Sequence, residues 1–195
     1  MAGLLPLDFA FRAKYKVESC WPEDLEYAKF PIFAFNENGP REYDTKVSAS
    51  LIIRPDEDEP WAVGLDGDMV SEQATGIYAC PDPNCFLAVV DSWAYYIDST
   101  TPGGVTVLPI YPVRKIYSCV SFDMLFALEF ASMTAIGPTG IMWSTKRLVV
   151  DELSITRISE EVVHGCGDFH RDDENLFVLD RLTGKVLRGN IFCEE

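Results

Sequence analysis

Apolar positions in this chain come in short bursts separated by turn residues. Val47 to Ile53 is the first β-forming run, stopped by Arg54-Pro55. From Trp61 onward the bursts become regular. Phe86 to Ile97 ends before Pro102-Gly103-Gly104, Val105 to Ile110 ends before Pro112, and Val113 to Val120 follows. Leu125 to Ile136 is closed by Gly137-Pro138-Thr139-Gly140. Ile141 to Thr145, Arg147 to Val150, Leu153 to Ile158, Val162 to Cys166, Leu176 to Leu179 and Val186 to Arg188 complete the series. Short β-forming segments between Gly/Pro turns predict an all-β fold. Residues 1–60 read as irregular. Their one helix signal is Trp21-Pro22-Glu23-Asp24-Leu25. A proline at the first helical position loses no needed hydrogen bond, and two acids suit the positive end of the dipole.

The pattern repeats. A shift of 39 residues carries Cys80 onto Cys119, Cys85 onto Met124, Phe86 onto Leu125 and Ile97 onto Ile136. After a slip of three residues, Gly104-Val105 falls on Gly140-Ile141. A period near 40 is that of a four-stranded propeller blade. The expected architecture is therefore antiparallel meanders resembling two or three propeller blades, as an incomplete propeller, a curved sheet or an open barrel, with a short N-terminal helix. One domain is expected over 1–195, with 1–60 an irregular acidic part and 61–195 a repetitive β part.

Two segments carry resemblances. Asn175 to Val186, with Leu179-Asp180 ending an apolar run, Thr183-Gly184 closing a turn and Lys185-Val186 starting the return, resembles the hairpin of PQQ-type propeller repeats. Ala135 to Leu148 is similar to a segment of uncharacterised bacterial proteins with the pattern G-P-x-G-[IV]-x-W-x-T-x-R-L. Asp151 and Leu153 fit its D-x-L continuation, and Asp180, Thr183 and Gly184 fit its terminal D-x-x-T-G. That resemblance implies a bacterial, cytosolic β protein and brings no activity with it. In the residues themselves, Gly137-Pro138 and Gly140 predict a tight hairpin. Ile141, Trp143 and Thr145 then share one strand face, with Trp143 filling the space between sheets or, alternatively, serving as a ligand platform.

Charge adds a direction. The chain has 195 residues, 16 basic and 31 acidic, for a net of −15. At 48% hydrophobic it is too apolar for a disordered tail, and its acidity argues against direct nucleic-acid binding. Residues 1–99 hold 7 basic and 18 acidic residues, a net of −11; residues 100–195 hold 9 and 13, a net of −4. The densest run is Asp56, Glu57, Asp58, Glu59. It reads as a solvated loop or as an acidic face for a basic protein partner. Asp66-Gly67-Asp68 alone is too little for a calcium loop. Met1 to Phe11 lacks a basic start and holds Asp8, a poor signal peptide, and Met124 to Ile136 is too short to span a bilayer. These features point to the cytoplasm, where the six cysteines would be reduced.

Chemistry concentrates at His164-Gly165-Cys166-Gly167-Asp168-Phe169-His170, which holds both histidines of the chain. On an extended strand His164, Cys166, Asp168 and His170 would share a face. Such a face suits zinc or another borderline metal, or a thiolate activated by His164. Gly165 and Gly167 instead favour a bulge with incidental polar residues. Cys80 and Cys85 could join a zinc site, but the repeat matches Cys85 to apolar Met124, so both read as small hydrophobes beside a turn. Phosphate-loop and common hydrolase motifs are absent. Function is expected to be a non-catalytic acidic protein-interaction module, with an inhibitor or immunity-type role as a sub-case. The alternative is a metal-dependent or thiol enzyme centred on 164–170.

Overall fold

A computed structural model describes residues 5–67, 74–168 and 176–189. It divides the chain into two compact units, Met1–Tyr111 and Pro112–Glu195. The first contains strands β1 (Leu7–Asp8), β2 (Tyr15–Cys20), β3 (Ile32–Asn36), β4 (Gly39–Arg41), β5 (Ala49–Pro55), β6 (Trp61–Leu65), β7 (Gly76–Ala79), β8 (Cys85–Val90), β9 (Trp93–Asp98) and β10 (Val105–Val107). The second contains β11 (Lys115–Cys119), β12 (Met124–Leu128), β13 (Met133–Gly137), β14 (Gly140–Ser144), β15 (Asp151–Ile158), β16 (Val162–Asp168), β17 (Leu176–Asp180) and β18 (Val186–Arg188). The protein is all-β, in four open sheets. No helix among the described residues is long and apolar enough to cross a membrane.

In the first unit one sheet runs β2-β5-β6-β3-β4 and the other β1-β7-β8-β9-β10. Residues 1–60 are thus not irregular. Tyr15 and Val17 point inward from β2 while Lys16 and Glu18 point out, the alternation of a strand with one solvated face. The boundary expected at 60/61 falls inside a hairpin, because β5 pairs with β6 from Ala49↔Leu65 to Ile53↔Trp61. The two sheets share a core of Tyr15, Leu51, Ile53, Trp61 and Val63 with Ile77, Phe86, Val90, Tyr95 and Ile97. The segment expected to be helical is a 3-10 helix, Pro22–Tyr27.

Three antiparallel four-stranded meanders follow one another: β7-β8-β9-β10, β11-β12-β13-β14 and β15-β16-β17-β18. The 39-residue shift carries β7, β8 and β9 onto β11, β12 and β13, and the slip carries β10 onto β14. Two runs that look like single long strands are hairpins. Phe86 to Ile97 turns at Asp91-Ser92, both at positive φ, and 125–136 turns between β12 and β13. The central strands β8, β12 and β13 are buried on both faces, so their sequences show no alternation. Arg147 to Val150 is not a strand; Leu148 and Val149 plug the core of the second unit. Ile141 and Trp143 do not share a face. A bulge puts one extra residue, Met142, between the pairs Ile136↔Ile141 and Ala135↔Trp143, which sends Ile141 outward.

One device occurs in both units. The turn after β9 starts at Asp98, whose carboxylate accepts from the Thr100 amide at 2.9 Å and from the hydroxyls of Thr100 and Thr101 at 2.7 and 2.9 Å. The turn after β17 starts at Asp180, which accepts from the amides of Leu182 and Thr183 and from the Thr183 hydroxyl at 3.1, 2.8 and 2.7 Å. In each, a tryptophan of the preceding sheet donates its indole N–H to the carbonyl just after the aspartate. Trp61 reaches Ser99 and Trp143 reaches Arg181, both at 2.9 Å. Gly103 and Gly184 take positive φ, and an aromatic ring lies where a Cβ would point: Phe33 over Gly103 and Trp143 over Gly184.

The carboxyl of Asp98 is pushed up by burial, but the hydrogen bonds from Thr100 and Thr101 outweigh this and hold it below the ordinary value. Hydrogen bonds from Thr183 do the same for Asp180. A carboxyl depressed in the folded state stabilises it above the ordinary carboxylate range, and that contribution is lost as pH falls through the depressed value. Asp98→Ala should therefore cost about 1 kcal/mol at neutral pH. The gap to the unmodified protein should close as unfolding is measured at pH below about 4. A gap constant down to pH 2 would contradict the assignment.

Candidate functional site

The 3-10 helix displays an ordered surface. Three residues per turn stack positions i and i+3. Pro22 and Leu25 therefore form one ridge, and both are buried. Asp24 and Tyr27 lie on a second ridge, next to Trp21, which caps the helix with an extended backbone, and Glu23 and Glu26 lie on a third; all five are exposed. Trp21 is 50% and Tyr27 85% exposed. The segment is held from below: Leu25 is fully buried and the Tyr43 hydroxyl donates to Pro22 O at 2.7 Å. Asp24 Oδ2 accepts from the Trp21 amide at 3.2 Å, and the Asp24 amide donates to Trp21 O at 3.0 Å. A rigid short helix thus holds two large aromatic side chains beside three carboxylates, at a position the sequence marks only as a helix start.

The run Asp56, Glu57, Asp58, Glu59 is elsewhere. All four are exposed in the loop joining β5 to β6. Tyr15 pairs with Pro55 and Cys20 with Ser50, so the loop and the 3-10 helix lie at opposite ends of β2. Five strand steps separate those ends, about 17 Å. The acidity is therefore not one face. Residues 100–111 carry no charge, so the −11 and −4 counted along the sequence are also the charges of the two units. Acidity belongs to the whole first unit.

Of the residues expected to share a strand face, His164, Cys166 and Asp168 lie on β16, while His170 falls outside the described residues. The three do share a face. Val163 is fully buried on the other side, and there Gly165 and Gly167 leave room for Phe177 and Val149. The glycines serve this close packing. The bulges are on the neighbouring strand β15, where Arg157 pairs with His164 and Ile155 with Gly165, leaving Thr156 extra. Among the described residues no three His, Cys, Asp or Glu side chains come together as a metal-binding group.

What does gather at His164 is cationic. Cross-strand pairing aligns Arg157, His164, Val178 and Arg188 in one row over β15 to β18. With Thr156 and Leu176 they line a groove of about 280 Å³. The bulge places Thr156 and Arg157 along the same groove wall.

Cys80 and Cys85 flank the β7–β8 turn, where the Cys80 amide donates to Cys85 O at 3.2 Å. Both are buried in the first unit. Burial, and then neighbouring acidic groups, push the Cys80 thiol well up. Burial also pushes Cys85 up to about 11. Such thiols act as small apolar fillers. Trp143 packs against Phe126, with ring centroids 6.0 Å apart, inside the second core.

No family model and no curated protein matches the sequence. Among solved structures, a chain of a complex from S. cerevisiae, a Dbp5 variant bound to Nup159, a Gle1 variant, IP6 and ADP, is similar at 9% identity. The match covers 93% of this chain and 68% of that one, with a TM-score of 0.28, a level at which the likeness says nothing about fold or function here.

Proposed function

We propose that this chain is a non-catalytic interaction module that engages a basic protein partner through the Trp21–Asp24–Tyr27 ridge. The observation that carries this is the pairing of two exposed aromatic rings with Glu23, Asp24 and Glu26 on a helix pinned by Leu25. Exposed Trp and Tyr are the side chains that dominate binding energy at interfaces. Carboxylates beside them favour a Lys or Arg that stacks on a ring while pairing with an acid. The loop Asp56–Glu59 and the unit's net charge of −11 would speed encounter by long-range attraction without being the contact surface. An inhibitor or immunity-type role in a bacterial cytosol fits a small acidic binder of this kind.

The test separates specific contact from bulk charge. Trp21→Ala/Tyr27→Ala leaves the net charge unchanged and removes only exposed rings. The unmodified chain should retain a basic protein from bacterial lysate at low salt and lose it as salt rises. The double variant, with unchanged thermal unfolding, should bind that protein at least about tenfold more weakly, the loss expected of an interface anchor. Equal affinity of the two forms would remove the ridge from the account.

A further inference from the structure

The lining of the His164 groove runs against the rest of the molecule. The chain carries 31 acidic and 16 basic residues, yet the described lining holds Arg157, Arg188 and His164 and no carboxylate. The row is fixed by pairing. Arg157 lies opposite His164, His164 opposite Val178, and Val178 opposite Arg188. Three strand spacings place the two arginines about 14 Å apart at the backbone, with the imidazole and Val178 between them. Arg157 is exposed, so its long side chain can reach toward His164 beside it in the row. Asp168, the carboxylate on the same face of β16, lies four residues along the strand from His164, about 13 Å. Leu176, 53% exposed, and Val178 supply an apolar strip beside the charges.

We propose that this groove is a binding site for a small amphipathic anion. Its carboxylate or phosphate head would sit between Arg157 and His164, with the Thr156 hydroxyl available as a further donor. Its apolar body would cover Leu176 and Val178. A guanidinium presents parallel N–H donors that match the oxygens of either head group, and charge-assisted hydrogen bonds are the strong ones. The bulge in β15 is part of the site, because it brings Thr156 and Arg157 to the same wall. A cationic ligand gains nothing from the two guanidinium groups there. The site is independent of the Trp21–Tyr27 ridge and stands or falls separately from it.

The chain has two histidines, so ring signals from labelled protein are few and His164 can be assigned with His164→Gln. Phenyl phosphate and phenylacetate are titrated against the intact chain, with inorganic phosphate and benzylamine as comparisons. The expected result is saturable movement of the His164 signals by at least one aromatic anion at up to ~10 mM, an affinity typical of a small open site. Whichever of the two binds more tightly identifies the head group. Arg157→Gln, checked for unchanged thermal unfolding, should weaken binding roughly tenfold, as loss of a charge-assisted hydrogen bond does. Inorganic phosphate should bind more weakly than phenyl phosphate. The proposal is overturned by no saturable movement with either aromatic anion, by equal affinity in Arg157→Gln, or by benzylamine acting as strongly. Equal binding of inorganic and phenyl phosphate would overturn the assignment of Leu176 and Val178.

Discussion

Replacing Trp143 with alanine should destabilise the second unit by about 3–5 kcal/mol, the range for removing a buried aromatic side chain. Three separate losses combine. The indole fills the space between the β11–β14 and β15–β18 sheets, in a core with Phe126, Leu153, Val163, Phe177 and Leu179. Its N–H bond to Arg181 O at 2.9 Å holds the turn after β17. Its ring also covers Gly184, whose backbone depends on φ +67. With a urea slope of about 2 kcal/mol per molar, the midpoint for this unit should fall by roughly 2 M. Trp143→Phe keeps most of the packing and loses the hydrogen bond, so it should cost less than half as much. A loss under about 1 kcal/mol for Trp143→Ala would mean that the ring does not tie the sheets together.

Among the described glycines, Gly165→Ala should be the most damaging substitution by alanine. Gly165 pairs directly with Phe177 across β16 and β17. A Cβ at 165 would overlap the Phe177 ring, which is itself nearly fully buried. Overpacking of this kind costs about 1–3 kcal/mol where neighbours can yield, and more where they cannot. Phe177 is held by Val163, Leu179 and Trp143 in the same core, so a cost of about 3 kcal/mol is expected. The mechanism predicts its own rescue. Phe177→Leu is destabilising alone, but combined with Gly165→Ala it should cost less than the sum of the two, by more than about 1 kcal/mol of coupling. Strict additivity would mean that the glycine is needed for another reason.

These residues also show how much a linear reading can recover. The meander repeat was legible because the same burst-and-turn pattern recurs, and the shift from Cys80 to Cys119 marks equivalent strands. Trp143 was legible as an inter-sheet residue from its place after a Gly/Pro hairpin. Its bulge was not, since an extra residue at Met142 leaves no composition signature. The hairpin at Asp91-Ser92 was hidden because two positive-φ residues are usually announced by glycine or asparagine, and here neither is present. Asp180-x-x-Thr183 stands out in the sequence beside Gly184, while its counterpart Asp98-x-x-Thr101 carries no such local signature. Their likeness is in the hydrogen bonds and in the covering aromatics.

The candidate site was less legible still. The acidic run at 56–59 draws the eye, and it forms an exposed loop at the far end of β2 from the aromatic ridge. A usable signal was present in Pro22 and Leu25, spaced by three, with Trp21, Asp24 and Tyr27 at the same spacing. It becomes a surface only if the helix is 3-10, because α-helical geometry would rotate those positions apart. The groove at His164 needed the register of four strands, which no local pattern supplies. Gly165 and Gly167 make room for the core, and the exposed face of β16 meets arginines across the strands.

The interaction account rests on where the partner sits. Hydrogen–deuterium exchange of the intact chain, alone and in complex with the retained basic protein, locates that contact directly. The account predicts slowed exchange across residues 21–27 in the complex, with the amides of the Asp56–Glu59 loop little changed. Unchanged exchange at 21–27, with protection only in other segments, would contradict it.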